Sequence, residues 1–189
     1  MLLETIRCEM GAALHLSYHQ KRLDKSCRLL GIRKEYDLNA LIVPPDSRLY
    51  RCRFLYSAEG YSIEFHPYTP KKITSLKLLT CDTLKYPLKY ADRESINTLF
   101  EKRMECDDVL LVQNNFLRDT SVANIALCIE GKWVTPASPL LEGTTRERLL
   151  DEKFLTAAPL TPEDIARASK VALMNAMVGF IEVENGIII

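Results

Sequence analysis

Three short segments of this chain carry side chains whose types and order could do chemistry together. Lys89 opens the run Lys-Tyr-Ala-Asp-Arg-Glu-Ser over 89–95. Asp119 lies in Phe-Leu-Arg-Asp-Thr-Ser-Val-Ala-Asn, 116–124, and Gly143-Thr144-Thr145 lies in Leu-Glu-Gly-Thr-Thr-Arg, 141–146. A neutral lysine amine forms an imine with an aldehyde, and burial or a nearby cation makes that neutral form accessible. Arg93, four residues on, is a candidate for that cation. A carboxylate at 119 could hydrogen-bond a protonated ring nitrogen and keep the ring able to accept electrons. A glycine leading into the open N–H groups of a helix start suits a phosphate, and Thr144 with Glu147 has the spacing of a capping box. Ser121 and Val122 could add a hydroxyl and backbone donors. An amine, a carboxylate and an anion-binding turn, in this order, are the parts that hold and use pyridoxal 5'-phosphate.

Each segment also has a plainer reading. Lysines are seldom buried, so Lys89 alone reads as a surface residue, and Lys85 competes with it. Asp119 alone suits an Asx-turn or a cap. Gly143-Thr144-Thr145 alone is an ordinary capped helix. Arg22, in His19-Gln-Lys-Arg22-Leu23, offers planar paired donors to phosphate, or simply a solvated helix face. His19 suits a helix-surface hydrogen bond, and His15 and His66 are isolated, with no metal-ligand spacing.

The composition frames these residues without competing with them. The chain has 189 residues, room for one large or two small domains. It is 47% hydrophobic and 26% charged, ordinary for a soluble globular protein. The 25 basic and 25 acidic residues cancel, so no broad attraction to nucleic acid or anionic membrane is expected. Six scattered cysteines include no Cys-x-x-Cys pair, which argues against zinc or a disulfide framework and for a reducing cytoplasm. Cys27 and Cys128 sit in apolar patterns as buried small hydrophobes. No apolar run has the length of a membrane span, and the opening Met-Leu-Leu-Glu-Thr-Ile-Arg is not a signal peptide.

The elements that must position the three segments follow from period and turn chemistry. Residues 2–9 read as a strand. Residues 17–30 read as a helix with Leu23, Cys27 and Leu30 on one face and Gly31 as its stop. Residues 48–57 and 60–66 form a hairpin about Glu59-Gly60, and 67–72 is a surface connection before a strand at 75–80. Asp92 can cap a helix whose Ile96, Leu99, Phe100 and Met104 share a face. Asn114-Asn115 and Glu130-Gly131 read as tight turns joining strand pairs. A helix starts at Thr145, and a short one starts at Thr161-Pro162-Glu163. Strands at 171–175, 180–184 and 186–189 close the chain. The fold class is α+β, in two domains, 1–82 (smaller) and 83–189 (larger), divided in the proline-containing stretch 81–88.

Taken together, these motifs resemble the fold type IV, or class IV aminotransferase, family of pyridoxal phosphate enzymes, over nearly the whole chain. Glu4-Thr-Ile-Arg7 is similar to the family's early strand motif, and His19-x-x-Arg22-Leu23 to its helix motif. Lys89 with Arg93 resembles the Schiff-base lysine segment. Arg118–Asn124 stands where the family has "T-E-x-S-x-x-N", and 141–146 where it has "G-I-T-R". The resemblance implies a compact D-amino-acid aminotransferase-like fold, with Lys89 as the lysine joined to the cofactor and Asp119 as the ring-nitrogen partner. It implies Arg22, Thr120, Ser121, Val122, Gly143, Thr144 and Thr145 around the cofactor. It also implies a homodimer with the active site between two domains near the subunit interface.

Two departures accompany the resemblance. Aspartate replaces the usual glutamate at 119, so the ring contact needs a shifted backbone or a bridging water. The chain is also shorter than typical members, before the first motif and centrally. Met174-Asn175-Ala176-Met177 resembles the corresponding segment of aminodeoxychorismate lyase, which points to Asn175 as a substrate ligand or, equally, a satisfied strand-end asparagine. The resemblance therefore implies conversion of 4-amino-4-deoxychorismate to 4-aminobenzoate and pyruvate, on the route to folate. Transamination of branched-chain or D-amino acids, and a homologue that binds the cofactor with reduced catalysis, are the alternatives.

Overall fold

The computed structural model describes residues 1–188. The chain divides into two compact units. One comprises Met1–Pro70 with Leu88–Asp92; the other comprises Lys71–Pro87 and the chain from Arg93 onward. This differs from the expected divide at 82/83. β5, Leu76–Thr80, belongs to the second unit because it pairs in parallel with β6, Asp108–Gln113. Leu88–Asp92 returns to the first unit, where the Lys89 carbonyl accepts the Leu3 N–H at 2.9 Å and Tyr90 bridges Leu2.

The first unit is an antiparallel sheet in the order β2-β1-β3-β4. Its strands are β1 Leu2–Glu9, β2 Ala12–Ala13, β3 Tyr50–Tyr56 and β4 Tyr61–Pro67. β3 alternates buried and partly or fully exposed residues, the period-2 signature of a strand with one covered face. α1, Leu16–Leu30, packs its apolar stripe there, and Gly31 ends it at φ 66, a conformation glycine adopts without a Cβ penalty. The buried face of α1 is His19, Leu23, Ser26 and Cys27. Leu30, expected on that face, is 51% exposed at the end of the helix. α2, Leu38–Leu41, is a single turn capped by the Asp37 carboxylate on the Asn39 N–H.

The second unit is built on a sheet whose main path is β10-β9-β8-β7-β6-β5-β13. The strands not yet given are β7 Phe116–Thr120, β8 Asn124–Ile129, β9 Lys132–Pro136, β10 Thr156–Ala158, β11 Lys170–Asn175, β12 Gly179–Glu182 and β13 Ile187–Ile188. β8 pairs with β7, β9 and β11, and its first five residues are buried, so it reads as a continuous apolar run with both faces covered. Both expected tight turns are present. Asn114 and Asn115 have φ 52 and 62, and Glu130 and Gly131 have φ 51 and 75, the positive values that a two-residue hairpin turn matching strand twist requires. The last expected strand survives as β13, and its final residue, Ile189, lies outside the described residues.

The two helices of this unit differ from expectation at their starts. α3, Glu94–Phe100, begins after Arg93, not after a capping Asp92. It passes into a 3-10 turn over Glu101–Arg103, which turns Met104 out to 75% exposure. α4, Thr144–Asp151, has Gly143 as its N-cap. Thr144 is therefore the first helical residue, and the expected capping box with Glu147 does not form. A reciprocal cap occurs instead at the 3-10 helix Pro162–Arg167, where the Thr161 N–H donates to Asp164 at 2.9 Å. All six cysteines are buried and unpaired by disulfide. Among the described residues, no helix is long and apolar enough to cross a membrane.

Candidate active site

The first unit brings Glu4, His19, Arg22 and Lys89 together. Glu4 lies mid-strand on β1 with its side chain wholly buried. Arg22 grips it with two hydrogen bonds, Nε to Oε1 at 2.8 Å and Nη2 to Oε2 at 2.6 Å. His19 Nδ1 stands 2.6 Å from Oε2; facing a carboxylate, that nitrogen carries the proton. Burial works against the Glu4 carboxylate, but Arg22 and His19 more than offset it and bring its pKa down to about 2. Burial pushes the His19 imidazole below its usual range against the pull of Glu4, with Arg22 and Lys89 adding smaller effects in the same direction. Two simple readings of α1 are thereby corrected. Arg22, with its side chain 11% exposed, does not lie on a solvated face, and His19 is an interior residue because it packs against β1.

Lys89 is half-buried, whereas Lys85 is exposed. The backbone around Lys89 is tied to the start of β1 rather than coiled into a helix, so Arg93 does not sit one helical turn away. The Arg93 guanidinium instead donates to the Ser121 carbonyl at 2.7 Å.

In the second unit, Asp119 near the end of β7 is buried and engaged at both oxygens. Oδ1 accepts from Asn124 Nδ2 and Oδ2 from the Leu141 N–H, each at 2.8 Å. Asn124 Nδ2 also donates to the Leu141 carbonyl at 2.8 Å, so one amide joins β8 to the strand-to-helix turn. That turn comes so close that a Cβ on Gly143 would lie 1.9 Å from Asn124 Oδ1; only glycine fits. Burial lifts the Asp119 carboxyl to about 6, opposed by the bonds from Leu141 and Asn124 and by the charge of Arg146. Arg146 is itself buried and donates to the Pro136 carbonyl at 2.9 Å.

Thr120 to Asn124 form a tight turn between β7 and β8. The Thr120 hydroxyl accepts the N–H groups of Val122 at 3.3 Å and Ala123 at 3.0 Å, and the Ser121 N–H donates to Asp108 Oδ1 at 3.3 Å. The turn thus uses the amides that the sequence reading reserved for phosphate, and Val122 contributes no spare backbone donor. Thr144 and Thr145, by contrast, are buried at the start of α4, where no side chain caps the helix. Asn175, at the end of β11, accepts the N–H groups of Met177 at 2.9 Å and Val178 at 3.1 Å and donates to the Val122 carbonyl at 3.2 Å. This is the strand-end arrangement, with one amide hydrogen beyond these contacts.

Sequence reasoning did not single out Glu4, Asn124 or Arg146 as site residues. An acid inside the apolar run Leu2-Leu3-Glu4-Thr5-Ile6 was the available signal for Glu4. Asn124 closes the quoted segment 118–124, but its role rests on Leu141 and Gly143 coming close in space.

The family model for amino-transferase class IV matches residues 87–185, more than half of the chain. The chain belongs to the class IV aminotransferase family. It is 35% identical over 184 residues to an uncharacterized protein of Haemophilus influenzae, covering 94% of this chain and 98% of that one. A Haemophilus somnus protein provisionally named a 4-amino-4-deoxychorismate lyase has a structure similar at TM-score 0.89 and 34% identity, over 94% of this chain and 96% of the other. The compact length is therefore shared with both. A Mycobacterium tuberculosis protein described as a hypothetical aminotransferase, in an α-ketoglutarate- and PMP-bound form, shares the fold at TM-score 0.79 and 16% identity, over 99% of this chain and 82% of that one.

Class IV aminotransferases depend on pyridoxal phosphate, and the residues of this member suit that group. The uncapped, buried start of α4 offers N–H donors where a phosphate is favoured. The Asp119 carboxylate, oriented by Asn124 and Leu141, is of the type that accepts a ring N–H.

Proposed function

We propose that this protein is a pyridoxal-phosphate-dependent lyase that converts 4-amino-4-deoxychorismate to 4-aminobenzoate and pyruvate. The observation that carries this reading is the 34% identity and near-complete coverage of the Haemophilus somnus structure named for that activity. The Met174–Met177 segment supports it. Lys89 is the catalytic residue: its amine would hold the cofactor covalently and, when free, would take the proton from the amine-bearing carbon. Asp119 accepts the ring N–H, and Arg22, Thr144 and Thr145 donate to the phosphate, with Gly143, Thr120 and the Ser121 hydroxyl beside them. Bound at these residues, the cofactor supplies an electron sink for the carbon that loses its proton. Asn175 offers its remaining amide hydrogen to a substrate carboxylate. Loss of the enolpyruvyl group as pyruvate leaves an aromatic ring, so the overall change needs no oxidant or reductant. We infer a homodimer, with a particle mass by light scattering of twice the 21.6 kDa chain.

Two experiments test the reading. Borohydride reduction followed by peptide mass analysis should place a pyridoxyl group on Lys89, and Lys89→Ala should lose it; retention in Lys89→Ala would remove the lysine assignment. Incubation with 4-amino-4-deoxychorismate should release pyruvate and 4-aminobenzoate. Exchange of amino groups between amino and keto acids, without those products, would replace the lyase with an aminotransferase.

A further inference from the structure

We propose that Glu4 is a positioning residue that aims the Arg22 guanidinium at the cofactor's phosphate, with His19 locking the carboxylate that does the aiming. This rests on the reading of Arg22 as a phosphate ligand. The motif similarity covers Glu4, His19 and Arg22 but gives a role to Arg22 alone.

The geometry carries the inference. Arg22 sits on a long stem whose rotamers are many, and holding it in one of them is costly. Two near-parallel bonds, at 2.8 and 2.6 Å, fix both the plane and the rotation of the guanidinium. With Nε and Nη2 held by Glu4, the plane of the whole guanidinium is set by the carboxylate rather than by the stem. Glu4 cannot swing away, because His19 Nδ1 holds Oε2 at 2.6 Å and the strand buries the whole side chain. His19 is fixed in turn by α1, one helical turn before Arg22.

Energetics favour orientation over stability as the reason for this cluster. A wholly buried ion pair gains little over well-packed apolar side chains of the same volume, since desolvation consumes most of its attraction. Glu4, with His19 and Ser26, interrupts the first unit's apolar core of Leu2, Ile6, Tyr56 and their neighbours. What apolar residues could not do is hold a cation in one orientation.

The test compares affinity for pyridoxal phosphate with affinity for pyridoxal, which lacks the phosphate, in the full-length protein. Glu4→Gln should weaken pyridoxal phosphate binding by about tenfold or more, the scale of a charge-assisted hydrogen bond. It should leave pyridoxal affinity within about twofold, because contacts elsewhere on the ligand are independent. Glu4→Gln combined with Arg22→Met should bind no more weakly than Arg22→Met alone. Equal losses for both ligands, or additive losses in the pair, would overturn the proposal. Glu4→Asp keeps the charge on a shorter stem and should show the same phosphate-selective loss. If neither Glu4 variant folds, Glu4 serves stability and the proposal is overturned. If the unaltered protein binds neither ligand, the cofactor reading itself falls and takes the proposal with it.

Discussion

Glu4 and Asp119 are both buried carboxylates, and their surroundings push them in opposite directions. Glu4 faces a guanidinium and an imidazole N–H, and its pKa falls from 4.5 to about 2. A carboxyl lowered on folding stabilises above its unfolded pKa, and that contribution is lost as pH falls through the folded value. The shift corresponds to about 3 kcal/mol. Urea unfolding should therefore show the stability gap between wild type and Glu4→Gln shrinking by about that amount from pH 5 to pH 2. Asp119 has no hydrogen-bonded cation, only amide donors with Arg146 nearby, and burial raises it from 3.8 to about 6. A raised carboxyl contributes stability that is present below the unfolded pKa and lost as pH rises through about 6. A cationic ring partner needs the ionised form. Cofactor affinity should thus climb with pH to about 6 and then level, and titrations of Asp119→Asn should lack that component. At Gly143, alanine would drive its Cβ into Asn124 and break the bridge to Asp119 and Leu141. Gly143→Ala should cost about 2 kcal/mol or more in denaturant unfolding, and less in an Asn124→Ala background.

At the level of elements, the site is carried by strand ends and helix starts. Asp119 nears the end of β7, Asn124 opens β8, Gly143 opens α4 and Asn175 ends β11. The hairpin turns hold these strands in register. Asn114 and Asn115 both take positive φ, where most side chains clash with the backbone. Asn114→Ala should destabilise by about 1 kcal/mol, while Asn115→Gly should be neutral or mildly stabilising; thermal unfolding of both variants checks the contrast. β7 and β8 pair through Asp119 and Asn124 alone, so side-chain bonds add to the backbone bond from the Thr120 N–H to the Ala123 carbonyl at that junction. The Asp119–Asn124–Leu141 cluster supplies them.

For the whole molecule, the candidate residues are divided between the two units. The first supplies Lys89 and the Glu4–His19–Arg22 cluster; the second supplies Asp119 and the start of α4. Lys89 contributes its backbone to the join with β1, and an alanine there keeps that bond. Lys89→Ala should accordingly fold with a melting temperature within a few degrees of wild type, while the proposed formation of pyruvate is lost. Calorimetry and the pyruvate assay on the same sample check both halves.

Local rules were sufficient wherever the cause was local. Positive φ at asparagine and glycine set the two hairpin turns, Gly31 ended α1, and residue pattern marked the strand at 2–9 and the hairpin about Glu59-Gly60. The order of Lys89, Asp119 and Gly143-Thr144-Thr145 was likewise legible, because side-chain type limits what each could do. Contacts decided the rest. Arg22 became an ion pair, and Val122 lost its expected spare donor to Thr120. Leu88–Asp92 joined the first unit across an intervening strand, and Asn124 became the link between Asp119 and α4. Each depends on groups 2 to more than 80 residues apart meeting where they are shielded from water, so that donors and acceptors must find partners. Chain pattern states which residues are able to act, and only the packed interior assigns their partners.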